Sequence, residues 1–130
     1  MRTINISLMV LRLAWILTII LGILFWTGNA DSLTPIHMLL GIIVVISLWV
    51  IGLAQGFIKG GSFVLALATF LLGLIIVIVG LNQTSWFTGS NHWIIQVIHL
   101  LLGISSIGLA EMIAARTKRR LRATQAQQLS

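Results

Sequence analysis

Four apolar runs, at about residues 4–26, 35–57, 62–81 and 91–115, set what this chain can become. At a rise of about 1.5 Å per residue, each is long enough to cross about 30 Å of hydrocarbon as a helix. No segment alternates apolar and polar residues with period two, the pattern of a membrane-spanning barrel strand. In lipid the backbone must satisfy its own N–H and C=O groups, so runs without that alternation become helices. Composition agrees: 58% of the 130 residues are hydrophobic and only 8% are charged, against about a quarter charged in soluble domains. The mean hydropathy is +1.11. The expected fold is all-α, an up-down-up-down bundle of four transmembrane helices over residues 1–115, followed by a basic tail at 116–130.

The breaks between runs fix the connectivity. Thr27-Gly28-Asn29-Ala30-Asp31-Ser32 is rich in turn formers, and Pro35 can open the second helix, where its missing N–H is not needed. Lys59-Gly60-Gly61-Ser62 makes a short link that forces the second and third helices to be antiparallel neighbours. The last loop runs from Asn82 to Asn91, with Trp86 and Trp93 at the depth where indoles favour the membrane interface.

Charge sets the orientation. Arg2, Arg12, Lys59 and the run Arg116, Lys118, Arg119, Arg120, Arg122 all fall on one side. The other two connections hold no Lys or Arg, and one carries Asp31. By the positive-inside rule both termini are expected in the cytoplasm of a multi-pass plasma-membrane protein. The net charge of +6 therefore suits anionic lipid headgroups of the bilayer, and nucleic acid is not an expected partner. The first 30 residues share features with a secretory signal, including a small-residue Gly28-Asn29-Ala30, but the apolar run is long for one and is expected to stay as a helix. The chain has no cysteine, so disulfides and thiolate metal sites are excluded.

The chain also repeats itself. His37-Met38-Leu39-Leu40-Gly41 in the second run matches His99-Leu100-Leu101-Leu102-Gly103 in the fourth. Upstream, Trp26-Thr27-Gly28-Asn29 echoes Phe87-Thr88-Gly89-Ser90, and Thr18-Ile19-Ile20-Leu21-Gly22 echoes Thr69-Phe70-Leu71-Leu72-Gly73. Two tandem helical hairpins crossing in the same sense are related by a pseudo-two-fold axis along the membrane normal. The second and fourth helices then stand diagonally opposite, which brings His37 and His99 to similar depth, facing each other near the outer surface.

A histidine at membrane depth needs a partner and is a functional candidate by default. Two of them on diagonal helices can take both axial positions of a haem iron. Gly41 and Gly103 follow their histidines by four residues, so they share a helix face with them and let a flat macrocycle approach the backbone. Gly22, Gly73, Thr18 and Thr69 are expected to thin the other two walls. The competing reading of small residues in membrane helices is helix packing. A bare metal ion is disfavoured, since the only acids are Asp31 and Glu111. His92, seven residues before His99, is expected near a haem propionate rather than at the iron, with Gln96, Asn91, Ser32 and Thr34 as further neutral contacts. Glu111 is expected to pair within its own helix end, near Arg116 and Lys118. Trp15 and Trp49 could face lipid or a cofactor.

At these residues the chain resembles one half of haem A synthase, most clearly from Leu72-Gly73 through Gly80-Leu81 and on to Ile98-His99-Leu100-Leu101-Leu102. That family has two four-helix bundles, each with ligand histidines on its second and fourth helices. The resemblance implies that His37 and His99 take the two ligand positions. The synthase uses a glutamate on the first helix of its catalytic half; here the first run has no acid and the second bundle is missing. A complete synthase is therefore not expected, and no catalytic residue is assigned. The leading expectation is a haem b protein that exchanges electrons, with quinol or a redox partner, or carries or senses haem. The alternatives are a small transporter or channel subunit and a structural accessory protein. Gly52, Gly56, Gly60 and Gly108 could serve a homodimer face.

Overall fold

The computed structural model describes the whole chain, Met1–Ser130. It is all-helical: α1 (Arg2–Trp26), α2 (Thr34–Phe57), α3 (Phe63–Asn82) and α4 (His92–Leu129). All four are long and apolar enough to cross a membrane. A single 3-10 turn leads into α2 (Asp31–Leu33) and another into α4 (Gly89–Asn91), so both hairpins turn in the same way. The chain termini and the α2–α3 link lie at one end, called here the basic end; the other two connections form the far end.

Local chemistry explains the helix limits. Gly28 takes a φ of +77° just after α1, a conformation that glycine adopts without steric cost, and its N–H donates to Phe25 O at 2.9 Å. Pro35 sits in the first turn of α2, where helices tolerate it. Ser62 caps α3, its hydroxyl accepting from Leu65 N. Gln55 closes the α2–α3 link: its amide donates to Ser62 O at 2.7 Å and to Gly52 O at 3.0 Å, and its carbonyl accepts from Ser62 N at 3.0 Å. The side chain is buried, and these bonds satisfy it.

α4 differs from expectation. It does not stop near residue 115 but runs on to Leu129, 38 residues in all, or about 57 Å. The apolar stretch ends at Ala115, while the helix does not. Beyond it come mostly Arg, Lys, Leu, Ala and Gln, residues with good helix propensity, with Thr117 and Thr124 among them and no Gly or Pro.

The core lies in the basic half. Ile4, Leu8, Leu11 and Ala14 of α1 pack with Val44, Leu48 and Ile51 of α2 and with Ala110, Ile113 and Ala114 of α4. α2 also touches α4 across the diagonal. Glu111 pairs with Arg12 of α1, at 2.5 and 2.8 Å through both carboxylate oxygens, rather than with Arg116 or Lys118. A two-pronged pair of this kind ties the first and last helices together. Gly52 is not free for a dimer face: it lies against Thr69 of α3 so closely that a methyl group there would collide with the threonine side chain. Gly56 faces Ala66, and Gly60 sits in the link with a φ of +79°. Gly108 alone of the four meets nothing.

Candidate functional site

The far half is hollow. A cavity of about 570 Å³ opens between the four helices, within the range of about 300–1,000 Å³ usual for cofactor pockets. His37 enters it from the first turn of α2 and His99 from two turns down α4. α4 begins further out relative to its histidine than α2 does, and this offset brings the two rings to one depth. Their centroids are 6.2 Å apart, with planes tilted by 51°. The two rings thus stand close enough for one group lodged in the hollow to engage both.

The walls are cut back around the pair. Gly41 and Gly103 line the cavity, and a Cβ added to either would meet nothing within 4 Å. On α1, a Cβ at Gly22 would stand 3.5 Å from His37 Cε1; on α3, one at Gly80 would stand 3.2 Å from His99 Cε1. Phe25 holds the His37 ring edge-to-face at a centroid distance of 5.3 Å. The Nδ1 atoms of both histidines are buried without a hydrogen-bond partner. Such an orphaned polar atom costs about 1–3 kcal/mol, and both belong to the facing pair.

Thr18 lines the α1 wall, with its hydroxyl turned back to Ala14 O at 2.7 Å. Thr69 and Gly73, expected as its counterparts on α3, do not line the cavity. Thr69 is buried against Gly52, and Gly73 receives Trp49 and Val45, which leave no space for a methyl group. The residue that does on α3 what Gly22 does on α1 is Gly80, seven positions beyond Gly73. A shift of seven keeps the same helix face and moves it by about two turns, so the Thr-Gly echo gave the right face at the wrong depth.

The mouth is polar. His92 and Gln96 reach it from α4, and Asp31, Thr34, Gln83 and Thr84 join them; Ser32 and Asn91 do not. No Lys or Arg lines it. The floor is Trp15, whose indole N–H donates to Gly103 O at 2.8 Å. Trp49 lies elsewhere, stacked on Phe70. Asp31, Gly80, Gln83 and Thr84 were not identified as site residues from the sequence, and Trp15, left open there between lipid and a cofactor, faces the hollow. Gly80 alone left a signal there, as a glycine late in an otherwise aliphatic run.

No three His, Cys, Asp or Glu side chains converge to hold a metal ion. A metal that needs three or four protein ligands has no site here. A group that brings its own equatorial nitrogens needs only the two facing imidazoles, and the bare glycine walls suit its flat shape. No family model, curated protein or solved structure matches the chain. The likeness to half of a haem A synthase therefore rests on the quoted residues alone.

Proposed function

We propose that this chain is a membrane protein that binds one haem b through His37 and His99 and exchanges single electrons at the far end of the bundle. The observation that carries this reading is the 6.2 Å spacing of the two rings inside a glycine-walled hollow. The donor set fits: two imidazoles, each with a buried Nδ1 that has no hydrogen-bond partner. Haem bound there would supply a one-electron couple. His37 and His99 would hold the group from both sides of the hollow, and held by both it would supply electron exchange rather than oxygen chemistry.

The chain's own residues do the rest. Gly22, Gly41, Gly80 and Gly103 remove the side chains that would hold a macrocycle away from the imidazoles. Phe25 fixes the His37 ring plane, and Trp15 shuts the floor against the packed half. Ile23, Ile42, Ile76 and Val77 line the sides and exclude water. Gln83, Gln96 and Thr84 offer neutral donors at the mouth, where the Thr34 hydroxyl donates to Asp31 O at 2.7 Å, and His92 stands among them, apart from the facing pair. With Asp31 nearby and no cation, carboxylates at this end would be met by these donors and by water. A small apolar reductant such as a quinol would reach the mouth from the membrane. By the positive-inside rule this end faces away from the cytoplasm.

The test is the visible spectrum of the purified full chain. A Soret band with sharp reduced α and β bands is expected. Its absence after expression with added haem rejects the proposal. Slow loss of the haem to an apo-globin acceptor would favour electron exchange, and rapid loss would favour carriage.

A further inference from the structure

At the basic end, a second feature stands apart from the hollow. The α2–α3 link and the extended part of α4 enclose a shallow recess lined by Lys59, Gly60 and Gly61 on one side and Arg116, Thr117 and Arg120 on the other. Its free volume is about 10 Å³, room for about one water-sized group. Arg120 lies over the link, with Nη1 3.1 Å from where a Cβ on Gly60 would be. The backbone N–H groups of Lys59 and Gly60 have no acceptor within the chain.

These three cations have no counter-ion. The chain has two acids; Asp31 is at the far end, and Glu111 is taken by Arg12. Beside the recess, Phe57, Phe63 and Val64 are the most exposed large apolar residues of α1, α2 and α3, at 88%, 81% and 73%. Cations beside exposed aromatic and aliphatic groups, at the level where two apolar helices end, match a ligand with a phosphate head and a hydrocarbon tail. A free anion would use the first feature and gain nothing from the second.

We infer that Lys59, Arg116, Arg120 and the Lys59–Gly60 backbone form a binding site for the phosphate of an anionic phospholipid, one oxygen seated in the recess and the acyl chains lying along Phe57 and Phe63. Arg116 and Arg120 are one turn apart on a single face of α4, and the helix must continue past the apolar stretch to present Arg120. The α4 extension thus completes the site. This inference is independent of haem binding.

The full chain, purified in a neutral detergent, is titrated with phosphatidylglycerol, phosphatidylcholine or inorganic phosphate, and bound adducts are counted by native mass spectrometry. Two variants lose equal charge: K59Q/R116Q/R120Q in the recess and K118Q/R119Q/R122Q on the same helix outside it. Phosphatidylglycerol should be retained by the parent and by the outer variant within about threefold, and be weakened about tenfold or more in the recess variant. Equal weakening in both variants would show diffuse charge attraction and overturn the site. Inorganic phosphate displacing phosphatidylglycerol at equal concentration would make it a free-anion site and overturn the lipid assignment. If circular dichroism shows the recess variant unfolded, K59Q alone decides. Lys59 lies outside every helix, and its loss should weaken retention about fivefold; unchanged retention overturns the proposal.

Discussion

At the basic end of the bundle, Ile4, Leu11, Leu48, Ile51 and Ile113 are wholly buried in one cluster. Outside that cluster only Val45, Ile76, Val79 and Ile95 are buried hydrophobic residues, and a hollow of about 570 Å³ occupies the middle of the far half. Both halves are apolar and both contain inward glycines. The difference lies in what faces each glycine. Thr69 fills the space at Gly52, and Trp49 fills the space at Gly73. Nothing fills the space at Gly41 or Gly103, and only imidazole edges approach Gly22 and Gly80. A glycine makes a cavity only where its neighbours decline to enter, and here they decline around the two histidines alone.

That contrast can be broken in graded steps. The largest effect is expected from His37→Ala or His99→Ala, either of which should abolish the six-coordinate haem spectrum while helix content by circular dichroism stays at the parental level. The packed half should respond in the opposite way. Leu48→Ala removes a fully buried side chain and should cost about 2–5 kcal/mol in detergent unfolding, with the spectrum of the folded fraction unchanged.

A matched pair of glycine substitutions probes both halves with the same chemistry. Gly52→Ala drives a methyl group into Thr69 and should destabilise by about 1–3 kcal/mol. Gly41→Ala meets no atom and should stabilise the haem-free protein by up to about 1 kcal/mol through helix propensity, while weakening haem retention. Equal signs for the two would contradict a solid half and a hollow half. The smallest effect is expected at Arg12 and Glu111, which are 53% and 41% exposed along the bundle flank. Arg12→Ala or Glu111→Ala alone should lower the thermal midpoint more than the double substitution does, because each leaves one charge unpaired beside lipid.

Much of this was legible in the sequence. Apolar length gave the four helices, and the repeated His-x-x-x-Gly gave the facing pair, because a residue type that is costly in lipid stands out against aliphatic neighbours. The α3 wall was harder to read. In a run such as Leu71 to Leu81, sliding by seven residues preserves the face and the composition, so Gly73 and Gly80 look equivalent until the interhelical register is known. The Arg12–Glu111 pair depends on the same register, here between the first and last helices, which no local pattern encodes. The end of α4 was misplaced for another reason: hydropathy reports where lipid stops, and helix propensity carries on across that boundary through Arg116 to Leu129.

The length of α4 has a mechanical consequence. The helix is gripped at Ala110, Ile113 and Ala114 by α1 and α2, with His99 on one side of the grip and Leu129 on the other. At about 1.5 Å per residue these two points lie roughly 20 Å and 25 Å from the fulcrum. A tilt of about 5° would swing His99 by about 1.7 Å and the tail tip by about 2.2 Å in the opposite sense. The bar is stiff, and its two arms are nearly equal. On the inner arm Ile95 and Ser106 are buried and Trp15 donates to Gly103 O at 2.8 Å, so a tilt that moves His99 has to carry these contacts with it.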